Sequence, residues 1–142
     1  MTAGIICIDA NVVVGLVSIE SPDSPYKQLW TQWEESEYKV VAPALIYYEV
    51  SKAFHRLTIA GELLPERASQ AMEAALNLEI AVKGDRAMHR RALNLASSLQ
   101  LPATYDAHYL ALSEQLSAQF WTADRRLFRA VQATFDWVHL VE

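Results

Sequence analysis

Cysteine is nearly absent from this chain: among 142 residues there is one, Cys7. It has no partner for an internal disulfide and sits in an apolar run. It therefore reads as a small buried hydrophobe, and a reducing cytoplasm is the expected compartment. Glycine numbers four and proline five, too few for a collagen-like or Pro/Gly-rich disordered chain. No apolar run reaches the length of a bilayer span, so no membrane association is expected. No secretory leader is expected either, because Asp9 and Asn11 interrupt the only N-terminal apolar run and no basic segment precedes it. Cations are in deficit, with 12 Lys and Arg against 17 Asp and Glu and a net charge of -5. That excludes a protein whose main property is a broad cationic surface. It leaves nucleic acid open as a substrate, since a divalent ion bound at clustered acids reverses the local sign. Internal repeats and low-complexity tracts are missing as well.

What is present is a globular composition, 52% hydrophobic and 20% charged. The length fits one domain, residues 1–142, with a good single core. Ile5 to Ile8 (IICI) reads as a strand buried on both faces, followed by Asp9, Asn11 and a second apolar run, VVVGLV. Ser21 to Pro25 is a loop, and a helix is expected from about Pro25 to Ser36, with Tyr26, Leu29, Trp30 and Trp33 on one side. Those tryptophans suit core or dimer packing better than base stacking. Lys39 to Ala42 reads as a strand, and Pro43 suits the first turn of a helix over Ala44 to Ala60, stopped by Gly61. A helix from Pro65 to about Asn77 turns Ala68, Ala71, Met72, Ala75 and Leu76 inward, and Leu78 to Val82 reads as a third strand. Gly84-Asp85 is a turn with a capping aspartate ahead of a helix to about Leu99, with Met88, Ala92 and Leu95 on its apolar face. Thr104 can cap the next helix, which puts Asp106 in its first turn and Tyr109, Leu110, Leu112 and Leu116 on the apolar face. Ala118 to Trp121 is a strand, Arg125 starts a short helix, and Asp136 to Val141 looks like a last strand. Strands alternating with helices imply a mostly parallel five-stranded sheet covered on both faces.

Four acids stand out by position: Asp9 after the first strand, Glu49 early in the helix after the second, Asp106 at a helix start and Asp124 after the fourth strand. In a parallel sheet these strand ends and helix starts lie on one side, where open α/β sheets place their sites. Two of them also have a plainer role. Asp9 can be a helix cap, and Glu49 can be a solvated partner of Lys52. Four carboxylates brought together without counter-charge repel one another, and some stay protonated. A hard divalent cation such as Mg²⁺ or Mn²⁺ resolves this with oxygen ligands and retained water. It also suits phosphoryl chemistry. Asn11 and Thr122 are placed to hydrogen-bond a water, a carboxylate or a phosphate at that edge.

The segments IDAN (Ile8–Asn11), Glu49 within YYEVSKA, TYDAHYLALSEQL (Thr104–Leu116) and FWTADRRL (Phe120–Leu127) together resemble a PIN domain. The resemblance is greatest to the toxin ribonucleases of VapBC toxin–antitoxin modules. It covers nearly the whole chain in order; its specific part is the block from Tyr105 to Leu127, and all four acidic positions are filled. It implies one three-layer α/β/α domain with sheet order 3-2-1-4-5. It also implies that Asp9, Glu49, Asp106 and Asp124 are catalytic and bind Mg²⁺ or Mn²⁺, with Asn11 and Thr122 in support. The implied reaction is endonucleolytic cleavage of RNA by metal-activated water. The implied partners are a second copy of the chain and a small antitoxin that blocks the pocket. Lys52, Arg56, Arg125, Arg126 and Arg129 are candidates for a short phosphate track, or equally anchors to neighbouring acids. Arg86, Arg90 and Arg91, with His89, form a patch that is either solvated or in contact with phosphate, and His108 is given no catalytic part. The competing readings are three: a PIN nuclease of RNA processing without an antitoxin, an aspartyl-phosphate hydrolase or receiver-like domain with Asp9 modified, and a PIN-like scaffold without activity.

Overall fold

A computed structural model describes residues 4–142. The elements run β1 (Ile5–Ile8), α1 (Ala10–Ser18), α2 (Pro25–Glu35), β2 (Lys39–Pro43), α3 (Ile46–Ile59) and α4 (Pro65–Leu76). They continue with β3 (Ala81–Lys83), α5 (Arg86–Ser98), α6 (Thr104–Leu116), β4 (Gln119–Thr122), α7 (Arg125–Val131) and β5 (Val138–Leu140). The sheet has the order β3-β2-β1-β4-β5, and every neighbouring pair is parallel. This is the expected α/β/α arrangement. A receiver-like sheet runs 2-1-3-4-5 instead. Among the described residues no helix is long and apolar enough to cross a membrane.

β1 is central because it can tolerate burial on both sides: Ile6, Cys7 and Ile8 have no exposed surface. Alternation then assigns the layers. Cys7 and its register partner Phe120 face α6, where the Cys7 thiol meets the Tyr109 carbonyl and the Phe120 ring lies 5.9 Å from the Tyr109 ring. Trp121, one residue on, faces the other way and meets Trp33 of α2 at 5.7 Å. The tryptophans of α2 are thus core packing. α6 buries Ala107, Tyr109, Leu110, Ala111 and Leu112, because it is held between the sheet and α5.

Four local expectations shift. Strand β3 begins at Ala81, not Leu78, because Leu78 and Ile80 pack against the core from a turn before the ladder starts. Pro43 ends β2 instead of opening α3; at a strand end its missing N–H costs no ladder bond. Thr104 is the first residue of α6, its cap position being Ala103 without a side-chain bond. Leu76 is 48% exposed at the end of α4, while Ala71 and Ala75 carry the inward face.

Candidate active site

Register decides where the first acids fall. Ile8 pairs with Trp121 across β1 and β4, so Asp9 and Thr122 follow side by side at the carboxyl edge of the sheet. The Asp9 N–H donates to the Trp121 carbonyl at 3.0 Å, and α1 begins at the next residue. Asp9 is therefore the cap of α1, its Oδ1 accepting from the Ala10 N–H at 2.8 Å. It is also more than a cap. Its Oδ2 accepts from the Thr122 hydroxyl at 2.8 Å and from Asn11 Nδ2 at 3.3 Å. Asn11 Oδ1 accepts from the Ala123 N–H at 2.9 Å, and Thr122 Oγ1 accepts from the Asp124 N–H at 3.0 Å. Asn11 and Thr122 thus tie the end of β1 to the end of β4 and lock the Asp9 carboxylate in one orientation. Asp124 caps α7 through Oδ1, which accepts from the Arg126 and Leu127 N–H groups. Its Oδ2 makes no hydrogen bond among the described residues.

The other two acids arrive on helix starts. Glu49 lies in the first turn of α3 and Asp106 in the first turn of α6. Glu49 is not paired with Lys52. Its Oε1 accepts from the Tyr109 hydroxyl at 2.7 Å, a contact that links α3 to the buried face of α6. All four carboxylates line one cleft of about 610 Å³, together with Asn11, Lys52, Arg56, Tyr48 and Tyr105.

The charges in this cleft are frustrated. Asp9 is 5% exposed. Burial pushes its carboxyl up to about 7, Thr122 pulls it back, and Asp106 and Glu49 push it further up. Burial raises Asp106 to about 6, with Asp124 and then Glu49 adding repulsion. Tyr109 is raised as well, first by burial and then by Asp9 and Glu49, so its phenol remains a donor throughout the physiological range. Among the described residues no three carboxylates, imidazoles or thiolates stand close enough to form a cation cage by themselves. The donor set is nonetheless all oxygen and strongly anionic. Cys7, the chain's one thiol, is buried against α6 and pushed up to about 12. Such a set fits a hard divalent ion that is held by one or two carboxylates and keeps several waters. It does not fit a closed zinc-type site.

The remaining candidates separate cleanly. Lys52 and Arg56 line the cleft. Arg125, Arg126 and Arg129 are exposed on α7 outside the cleft lining, and none is in a salt bridge among the described residues. Arg91 is held by Glu114 through two bonds of 2.7 and 3.0 Å, which joins α5 to α6. Arg86 and Arg90 are exposed on α5 and do not line the cleft. Asp85 is structural as expected, capping α5 at the Met88 N–H and accepting from Gln115. His108 turns away from the cleft: its Nδ1 bonds the Thr104 carbonyl and its Nε2 meets His89 Nδ1 at 2.9 Å. Sequence reasoning missed Tyr109 as the partner of Glu49. The only available signal was a hydroxyl three residues after Asp106 in an otherwise apolar face. It also missed Tyr48 and Tyr105, each immediately before one of the acids.

The PIN domain family model matches residues 6–133. No curated protein matches the chain by sequence. Among solved structures, PAE2754 from Pyrobaculum aerophilum is similar, with a TM-score of 0.68 and 22% identity over 92% of this chain and 87% of that one. A toxin–antitoxin complex from Klebsiella pneumoniae is similar at a TM-score of 0.66 and 16% identity, covering 96% of this chain and 98% of that one. VapC20 of Mycobacterium tuberculosis, a sarcin-ricin loop cleaving toxin, is similar at 0.55 and 14% identity, covering 88% and 94%.

Proposed function

The chain belongs to the PIN domain family, and from that premise we propose that it is a divalent-metal-dependent endoribonuclease, the toxin of a toxin–antitoxin pair. The observation that carries this reading is the convergence of Asp9, Glu49, Asp106 and Asp124 on one cleft at the carboxyl edge of the sheet. Repulsion among these acids gives a cation a reason to bind there, and without a cation a phosphodiester would be repelled. When bound, Mg²⁺ or Mn²⁺ supplies a Lewis acid that lowers the pKa of water and neutralises charge on phosphate oxygens. One or two of the four carboxylates would hold it directly, and the others would act through the waters it keeps. Asn11 and Thr122 keep Asp9 oriented, and Tyr109 does the same for Glu49. Lys52 and Arg56 on the rim would hold phosphates of the RNA as point and forked charges. The toxin assignment draws support from the likeness to a toxin–antitoxin complex and to an RNA-cleaving toxin. Ile59 and Leu64, exposed where α3 turns to α4, offer apolar surface that an antitoxin or a second copy of the chain would cover.

Purified protein freed of any partner is expected to cut RNA with Mg²⁺ or Mn²⁺ and to stop on addition of chelator. Asp9→Asn and Asp124→Asn each preserve the capping oxygen, so circular dichroism should be unchanged while cleavage is lost. Cleavage at the wild-type rate by either variant would show that the site is wrongly assigned. Restored growth of cells on co-expression of the gene adjacent to this one tests the toxin pairing separately.

A further inference from the structure

Tyr48 is 80% exposed and Tyr105 is 59% exposed. Among the described Phe, Tyr and Trp side chains they are the only two more than about a third exposed, since the tryptophans are buried or packed against the core. Neither phenol makes a hydrogen bond among the described residues, so neither ring is held by packing or by a polar anchor. Both line the cleft that contains the four carboxylates. Each stands one residue before a cleft acid, Tyr48 before Glu49 and Tyr105 before Asp106, in the first turn of its helix. One residue is roughly 100° of helix rotation. An acid turned into the cleft therefore leaves the ring before it on the rim.

The α3 side of that rim has a second regularity. Tyr48, Lys52 and Arg56 follow at intervals of four residues, and all three line the cleft. Each step is about 6 Å along the helix axis, comparable to the phosphate repeat of an extended single strand. Neither cation is in a salt bridge among the described residues. A ring beside the acids followed by two free cations in line matches a base followed by its backbone. A protein partner's apolar surface is better matched by the aliphatic Ile59 and Leu64, where α3 turns to α4.

We propose that Tyr48 and Tyr105 are stacking sites for unpaired bases on either side of the cut, with Lys52 and Arg56 tracking the adjoining phosphates. This rests on the ribonuclease reading and names the residues of this chain that hold the bases next to the cut. Bases in a duplex are stacked on one another and offer these rings no free face. Ring stacking is tolerant of base identity, so the tyrosines would select unpaired structure and leave sequence preference to other contacts.

The test separates binding from cutting. Binding of a fluorescein-labelled RNA hairpin is read by anisotropy in the non-cutting Asp124→Asn background, and cleavage kinetics are read in the otherwise unaltered chain. Tyr48→Ala and Tyr105→Ala should each weaken binding of the hairpin, and raise KM, by about tenfold, with kcat within about twofold. Tyr→Trp at either position should restore binding. A hairpin with abasic loop nucleotides should bind the unaltered rings poorly and the alanine variants no worse still. The fully paired counterpart should bind weakly to all. Wild-type affinity in both alanine variants, or equal binding of abasic and intact loops, overturns the proposal even if the protein cuts RNA. Loss of an antitoxin's grip with RNA binding unchanged does so too. Tyrosine-dependent binding without metal-dependent cutting would instead overturn the nuclease reading and leave the stacking sites standing.

Discussion

Tyr109 shows how much one buried hydroxyl can settle. Its ring packs against Phe120 in the core, while its phenol donates to Glu49 at the cleft. Removing the hydroxyl leaves the packing and frees the carboxylate. Tyr109→Phe should lower stability by about 1–2 kcal/mol, as for a hydrogen bond to a charged acceptor that water can partly replace. It should also raise the Mg²⁺ concentration needed for half-maximal cleavage, because Glu49 then samples orientations that do not face the ion. A metal titration of both proteins measures this; unchanged metal dependence would mean that Glu49 is oriented by something else. Sequence alone could not rank Tyr109 above its neighbours, since a tyrosine in an apolar helix face looks the same with or without a polar partner. Glu49 was ambiguous for the matching reason: the cation beside it in sequence, Lys52, is not the group that holds it.

At the scale of elements, the join of α1 to α2 is close. A Cβ on Gly15 would stand 2.4 Å from a Tyr26 ring carbon, so the helices approach only because that position has no side chain. Gly15→Ala gains about 1 kcal/mol of helix propensity but overpacks a tight contact at a cost of about 1–3 kcal/mol. The net expectation is a lower melting temperature. Tyr26→Leu should rescue the variant, giving a coupling in a double-mutant cycle. Additive effects would mean that the ring already has room to move. Most element boundaries were legible because apolar period, proline, glycine and capping residues agree with the fold. The displaced ones were set by neighbours. Strand β3 starts where β2 offers a ladder, Val41 opposite Ala81, and not where the alternating pattern starts.

For the whole molecule, the crowded acids set how stability varies with pH. Asp9 and Asp106 are raised to about 7 and about 6 from an ordinary value of 3.8. Between about pH 4 and pH 7 these two groups therefore hold more protons in the folded chain than in the unfolded one. By linkage the stability these two groups contribute is full below their unfolded pKa and is lost as pH rises through their folded values. His139, lowered chiefly by burial, acts in the opposite sense by favouring its neutral form. Comparison with Asp9→Asn isolates the carboxylate part. Metal-free wild type should lose stability relative to that variant from pH 5 to pH 8. Mg²⁺ or Mn²⁺ should restore it above pH 7, where ligand carboxylates are ionised. Melting curves at several pH values, with chelator and with metal, check both statements. A flat difference between the two proteins would mean that Asp9 is ionised throughout.

The sequence by itself determined the alternation of strands and helices, the family, and which acids end strands or begin helices, because these follow from local period and from short motifs. Only the tertiary structure decided what those acids are to one another. The β1–β4 register sets Asp9 beside Thr122, α6 brings Tyr109 to Glu49, and the cleft takes in Lys52 and Arg56 while Arg125, Arg126 and Arg129 stay outside its lining. Distances between residues as far apart in the chain as Asp9 and Thr122 are set by packing across the sheet. No local pattern of side chains encodes them.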